Sequence, residues 1–153
     1  MYLLPKPKTI KEQDGQMLLC HSTHIVMTKE VAETEMHAAK RLQEAIRQET
    51  GLILPFSVGE VREGDLSLGI AKTLPEQTYE ITIDEKGGQI SGGDGAGVLY
   101  GVETFCQIVQ QCGGILPCVQ IQDAPDMPNR GYYFDQTRGR VLKLEAVSYT
   151  HLT

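Results

Sequence analysis

No stretch of this sequence approaches the ~20 consecutive apolar residues that a membrane-spanning helix needs. Its opening, MYLLPKPKTIKEQDG, holds too short an apolar run for a signal peptide. A membrane partner is therefore not expected, and the location expected is cytoplasmic. Basic residues are scarce: 14 Lys and Arg stand against 20 Asp and Glu, a formal net charge of -6, with no dense basic cluster. Such a chain is a poor binder of nucleic acid. Cysteine pairs of the C-x-x-C type are missing, because Cys20, Cys106, Cys112 and Cys118 are spaced more widely. That excludes a zinc knuckle and a thioredoxin-type redox site. Four reduced, mostly buried thiols are expected, since a chain this long builds a core without covalent staples. A bridge between Cys112 and Cys118 across Gly113-Gly114 is the alternative. Internal repeats are also missing.

What is present suits an ordinary globular core: 41% of the residues are hydrophobic and 22% charged. LLPKPKTIKEQDGQ reads as a proline-punctuated entry, and Met17–Thr28 as one or two short strands. From Lys29 to Gly51, Val31, Glu35, Ala38, Ala39, Leu42, Ala45 and Ile46 recur at helical spacing and are mostly apolar. Thr28 can cap this helix and Gly51 can close it. LILPFSV and DLSLGIA read as strands. Tyr79, Ile81 and Ile83 alternate with Glu80, Thr82 and Asp84, which predicts a half-buried strand, with Lys86-Gly87-Gly88 turning it into a hairpin. Beyond Asp94, a candidate cap, Leu99, Val102, Phe105, Cys106 and Val109 line one side of a second helix that Gly113-Gly114 ends. Pro125 and Pro128 then mark a boundary. Mostly consecutive or hairpin-linked strands with two well-separated helices predict an α+β layer: a mixed or antiparallel sheet with two helices on one face.

The densest chemistry-bearing feature is ISGGDGAGVLYGVETFCQIV, Ile90 to Val109. Its glycines Gly92, Gly93, Gly95, Gly97 and Gly101 contain no G-x-G-x-x-G trio, and no Lys-Ser/Thr pair follows as a Walker loop requires. Asp94 would repel a phosphate, and the preceding strand belongs to a hairpin rather than to an evident βαβ crossover. Gly92, Gly93, Gly95 and Gly97 are therefore read as a structural turn that lets the helix pack close to the sheet. Cys20, His21 and His24 lack a nearby carboxylate, and a strand would point the two histidines to opposite faces, so no metal site is expected. Asp84-Glu85 leads into an exposed turn and is read as solvated rather than catalytic. No serine sits in a G-x-S-x-G elbow. Between Arg130 and Arg140, three arginines gather around Tyr132, Tyr133, Phe134 and Asp135, the residue types that bind sugar hydroxyls and ring faces.

Taken together, these motifs resemble the glycoside hydrolase family 20 β-N-acetylhexosaminidases. A Y-x-I-x-I strand leads through small residues to G-x-x-Y-G-x-x-T-x-x-Q, here Gly97, Tyr100, Gly101, Thr104 and Gln107. Then come I-x-D-x-P (Ile121, Asp123, Pro125) and R-G-x-x-x-D-x-x-R (Arg130, Gly131, Asp135, Arg138). The opening LLPKPK is similar too, and the resemblance runs from about Leu3 to Glu145. It implies an accessory α+β domain at residues 1–126, then the first strand and helix start of a truncated catalytic TIM barrel at 127–146. Residues 147–153 would be a non-native tail. By the same resemblance Arg138 binds substrate hydroxyls, while Arg130 and Asp135 support the barrel's first strand. Gly139-Arg140 departs from the family's His-aromatic pair at that place.

The family's chemistry is substrate-assisted: the sugar's own N-acetyl carbonyl attacks the anomeric carbon, a Glu acts as general acid, and the preceding Asp orients the acetamido group. That pair would lie in a barrel this chain is too short to complete. The resemblance thus implies a non-catalytic domain, inactive alone, whose full-length protein hydrolyses terminal N-acetylhexosamine residues. The partners implied are that carbohydrate and the missing barrel; no cofactor or catalytic residue is expected here. Two alternatives stand beside it. One is a small α/β module binding an anion at the Gly92–Gly97 loop, and the other is a protein-interaction domain using Tyr132–Phe134.

Overall fold

The computed structural model describes residues 1–127 and 129–131. Seven strands and three helices follow in the order β1 (Thr9–Leu18), β2 (Ile25–Met27), α1 (Lys29–Thr34), α2 (Met36–Thr50), β3 (Phe56–Val58), β4 (Leu66–Ile70), β5 (Tyr79–Asp84), β6 (Gly87–Gly92), α3 (Gly95–Cys112) and β7 (Ile115–Asp123). All seven strands form one mixed sheet in the order β1-β7-β5-β6-β4-β2-β3. The expected α+β layer is therefore present, with α2 and α3 packed side by side on the sheet.

The topology is less local than the sequence suggested. Among the described residues only β5–β6 is a hairpin; β2 runs parallel to both β3 and β4, and β4 parallel to β6. Both β6 and β7 are antiparallel to β5, so they are parallel to each other with β5 between them. The connection β6–α3–β7 is thus a crossover that spans one strand. The strand before the glycine loop belongs to a hairpin and to a crossover at once.

Side-chain periodicity explains the layers. Tyr79, Ile81 and Ile83 point inward from β5 while Glu80 and Asp84 are exposed. Val98, Val102, Phe105, Ile108 and Val109 of α3 and Ala38, Ala39, Leu42, Ala45 and Ile46 of α2 complete the core. Each large side chain buried this way stabilises the fold by roughly 1.5–3 kcal/mol. The opposite face is polar, carrying Lys11, Glu80, Gln89, Gln120 and Gln122.

Three local expectations need correction. The entry segment is a ten-residue strand, β1, paired along β7. Alternation hides it because the register shifts between Glu12 and Gln16, where Gly15 has φ +108°. Ile10 and Met17, opposite Ile121 and Leu116, both face the core although an odd number of positions separates them, so no single alternation runs through β1. The first helix is two helices. Thr28 caps α1 by accepting from the Val31 amide, but the chain breaks at Glu35 (φ −127°) before α2 begins. Glu35 recurs with the apolar residues in the sequence, but its carboxylate pairs with His37 at 3.2 Å and lies over Gly95. The hairpin turns at Glu85-Lys86, one residue earlier than expected, and Gly87 (φ +152°) opens β6. Gly51 closes α2 as expected, with φ +76°.

Candidate functional site

The helix motif of α3 reads as a set of attachment points once its neighbours are known. Gly97, Tyr100, Gly101, Thr104 and Gln107 recur at steps of three and four, which puts them on one side of the helix. A Cβ on Gly101 would lie 2.7 Å from Ile90 Cγ2, so glycine there lets α3 settle onto β5 and β6. Thr104 Oγ1 meets the Tyr79 hydroxyl at 2.7 Å, and that hydroxyl also donates to Asp123 Oδ2 at 3.4 Å. Gln107 grips the backbone of Leu4 from both sides: its Oε1 accepts from the Leu4 amide and its Nε2 donates to the Leu4 carbonyl, each at 2.8 Å. One turn on, Gln111 does the same for Tyr2. The Tyr100 ring carries Arg130, whose guanidinium carbon is 5.1 Å from the ring centroid, within cation–π range.

These contacts enclose a groove of about 500 Å³ between the N-terminal segment, α3 and Asp123–Met127 with Arg130. Its carboxylates already have partners. Glu103 binds Arg41 at 3.1 Å, Asp126 binds Lys8 Nζ at 3.0 Å, and Asp123 accepts from the Lys8 amide at 3.2 Å. Burial pushes the Tyr79 hydroxyl up to about 12, against the opposing pull of the Thr104 hydrogen bond. Such a site grips chain segments. Among the described residues it offers no pair of carboxylates free for acid–base work on a glycosidic bond.

The glycine loop feeds the same groove. None of Gly92, Gly93, Gly95 or Gly97 has a positive φ. The reason for glycine is close approach: a Cβ would collide with the Val98 amide at Gly92, the Pro75 carbonyl at Gly93, the Glu35 carboxylate at Gly95 and the Thr78 carbonyl at Gly97. The loop therefore seats the preceding residues 74–78. Asp94 Oδ1 caps α3 by accepting from the Gly97 amide at 2.8 Å, and also accepts from the Gln77 amide at 3.0 Å. Gln77, held at φ +61°, in turn accepts from Arg130 Nη1 at 3.4 Å. Two carboxylates, from Asp94 and Glu35, thus occupy the helix N-terminus where an anion would have to sit, and the anion-binding alternative is not favoured.

The other sequence candidates are scattered. Of the site residues expected beyond β7, Arg130 alone falls among the described residues, and it lies in the groove. Asp135, Arg138 and the Tyr132–Phe134 run lie outside them, as does the expected barrel start from residue 132 onward. Asp84 accepts from the Lys86 amide at 2.8 Å, a turn contact of the hairpin. His21 and His24 sit in the β1–β2 connection rather than on a strand, and no cluster of metal-ligating side chains occurs among the described residues. All four cysteines are free, so Cys112 and Cys118 are not bridged. Cys106 and Cys118 are buried, but Cys20 is exposed; the Ser22 hydroxyl 3.0 Å from its sulfur lowers its pKa, with help from Thr23. No helix among the described residues is long and apolar enough to cross a membrane. Sequence reasoning missed the glutamine clamps and the Tyr79–Thr104–Asp123 contact. The three- and four-residue spacing of the helix motif was the signal available for them.

Residues 1–124 match the family model for glycosyl hydrolase family 20, domain 2. A β-hexosaminidase of Vibrio furnissii is 29% identical over 138 residues, covering 89% of this chain and 21% of that protein. One of Porphyromonas gingivalis is 28% identical over 148 residues and 19% of its length is covered. The chain thus spans about a fifth of the curated relatives it matches. Among solved structures, a family 20 β-N-acetylglucosaminidase superposes with a TM-score of 0.64 at 30% identity, over 84% of this chain and 23% of that one. The Vibrio harveyi exo-β-N-acetylglucosaminidase in complex with N-acetylglucosamine has the same fold, with a TM-score of 0.69 at 20% identity over 85% and 20% of the two chains. With its seven-stranded sheet, its paired helices and the whole span of residues 1–124 accounted for, this chain belongs to glycosyl hydrolase family 20 as its domain 2.

Proposed function

We propose that this chain is the non-catalytic supporting domain of a β-N-acetylhexosaminidase, with residues 1–126 as the domain proper and 127–146 as the opening of a catalytic barrel. The complete enzyme would remove terminal N-acetylhexosamine residues by the substrate-assisted, retaining route. Its catalytic Asp-Glu pair would come from the barrel, where Arg138 would contact sugar hydroxyls and Arg130 and Asp135 would steady the first strand. The family match over residues 1–124 carries this reading. The groove supports it, because its acids are spent on holding chain segments.

The test compares two proteins on an aryl N-acetyl-β-glucosaminide. The 153-residue chain is expected to release no aglycone above buffer, and the same chain continued into a complete family 20 barrel is expected to turn over. Turnover by the 153-residue chain, free of host activity, would overturn the non-catalytic role. A folded but silent complete protein would overturn the family chemistry.

A further inference from the structure

We infer that Tyr2–Lys8 is a strap that fixes the direction in which the chain leaves the domain after Asp123. One end of the strap is bound to α3. Gln107 and Gln111 hold Leu4 and Tyr2 by both backbone groups, bonds that bridge more than a hundred residues of sequence. The other end is bound to the exit. The Lys8 amide donates to Asp123 Oδ1 at 3.2 Å, and Lys8 Nζ pairs with Asp126 Oδ1 at 3.0 Å. Between these anchors the strap forms one wall of the groove, and Asp123–Met127 with Arg130 form another. The exit itself has little to hold it. Asp126 and Met127 are exposed and belong to no strand or helix.

Arg130 supplies the third attachment, resting on Tyr100 and donating to the Met127 carbonyl at 2.6 Å. The exit is therefore pinned from the strap at Asp123 and Asp126 and from α3 at Arg130. Each contact is individually weak, since exposed ion pairs and hydrogen bonds are largely offset by the water contacts they replace. Their arrangement in series is what matters: the strap must be seated on α3 before Lys8 can reach the exit. That the exit direction would aim a catalytic barrel rests on the proposed function; the strap itself does not.

The measurement is backbone 15N relaxation on the 153-residue chain and on the Gln107→Ala, Gln111→Ala double variant. Gln111 is exposed, Gln107 is half-buried, and neither belongs to the core, so the fold should survive, with β5 and β6 unchanged. Order parameters of Ala124, Asp126 and Met127 are expected to fall from ~0.85, typical of rigid backbone, to below ~0.6, together with those of Tyr2–Lys8. Loosening confined to Tyr2–Lys8 would overturn the coupling. Lys8→Ala, which leaves the glutamine clamps intact, is expected to loosen Asp126 and Met127 while Tyr2–Leu4 stay ordered; an unmoved exit would count equally against the strap. Because neither readout involves hydrolysis, their failure is separate from failure of the enzyme reading.

Discussion

Tyr79 shows how a single side chain ties layers together. It begins β5, is buried to 5% exposure, and uses its hydroxyl to reach Thr104 on α3 and Asp123 at the end of β7. Burial raises the hydroxyl to about 12 because the phenolate would lose its hydration there. An ordinary tyrosine in the unfolded chain ionises near pH 10. The folded state therefore holds a proton that the unfolded state gives up, and stability falls as pH rises between those values. This contribution is intact below about pH 10 and is lost by about pH 12. Urea midpoints measured across that window should drop for the wild type. Tyr79→Phe should have a flatter profile there, at the cost of lower stability at neutral pH. Identical slopes for the two proteins would show that Tyr79 is not the group responsible. The hydroxyl's partners were not legible in the sequence, since Thr104 and Asp123 are 25 and 44 residues away.

At the scale of elements, α3 is placed by what its glycines omit. Gly93 and Gly97 let the 74–78 loop lie across the helix start, Gly92 lets the first turn of α3 sit close on β6, and Gly101 lets the helix body approach β5 and β6. Gly97→Ala should be strongly destabilising, because its new Cβ would meet the Thr78 backbone, which cannot yield as a flexible side chain can. Overpacking of this kind costs about 1–3 kcal/mol, against a helix-propensity gain of up to about 1 kcal/mol. Gly51→Ala and Gly113→Ala have open space at Cβ and strain only the positive φ. A urea melt ranking Gly97→Ala as the mildest of the three would refute this account of the loop. The helix, its Asp94 cap and its glycine-rich start were readable from spacing and cap chemistry. The identity of the close neighbour was not, because the 74–78 loop carries no periodic signal of its own.

At the scale of the whole described sheet, an early strand pairs with a late one. β1 comes from the first eighteen residues and β7 from the last described strand, and they pair over Thr9–Leu18. Without β1, the edge of β7 would be open and Leu116, Val119 and Ile121, all buried, would lose their cover. An unpaired apolar edge invites association. A chain beginning at Leu19 is expected to lose its single cooperative melt and to self-associate on size-exclusion chromatography; a monomer with an unchanged melt would show that β1 is dispensable. The sequence alone determined the local elements: the α2 and α3 patterns, the Thr28 and Asp94 caps, the alternation of β5, and the family motif that named the fold. Those signals depend on a residue and its neighbours three or four positions away, so one chain read in order contains them. Only the tertiary structure decided the strand order, the bulge that hides β1, the break at Glu35 and the convergence of Leu4, Thr104, Asp123 and Arg130 on one groove. Each of these is set by packing between residues far apart in the chain, where burial of shared surface outweighs local preference.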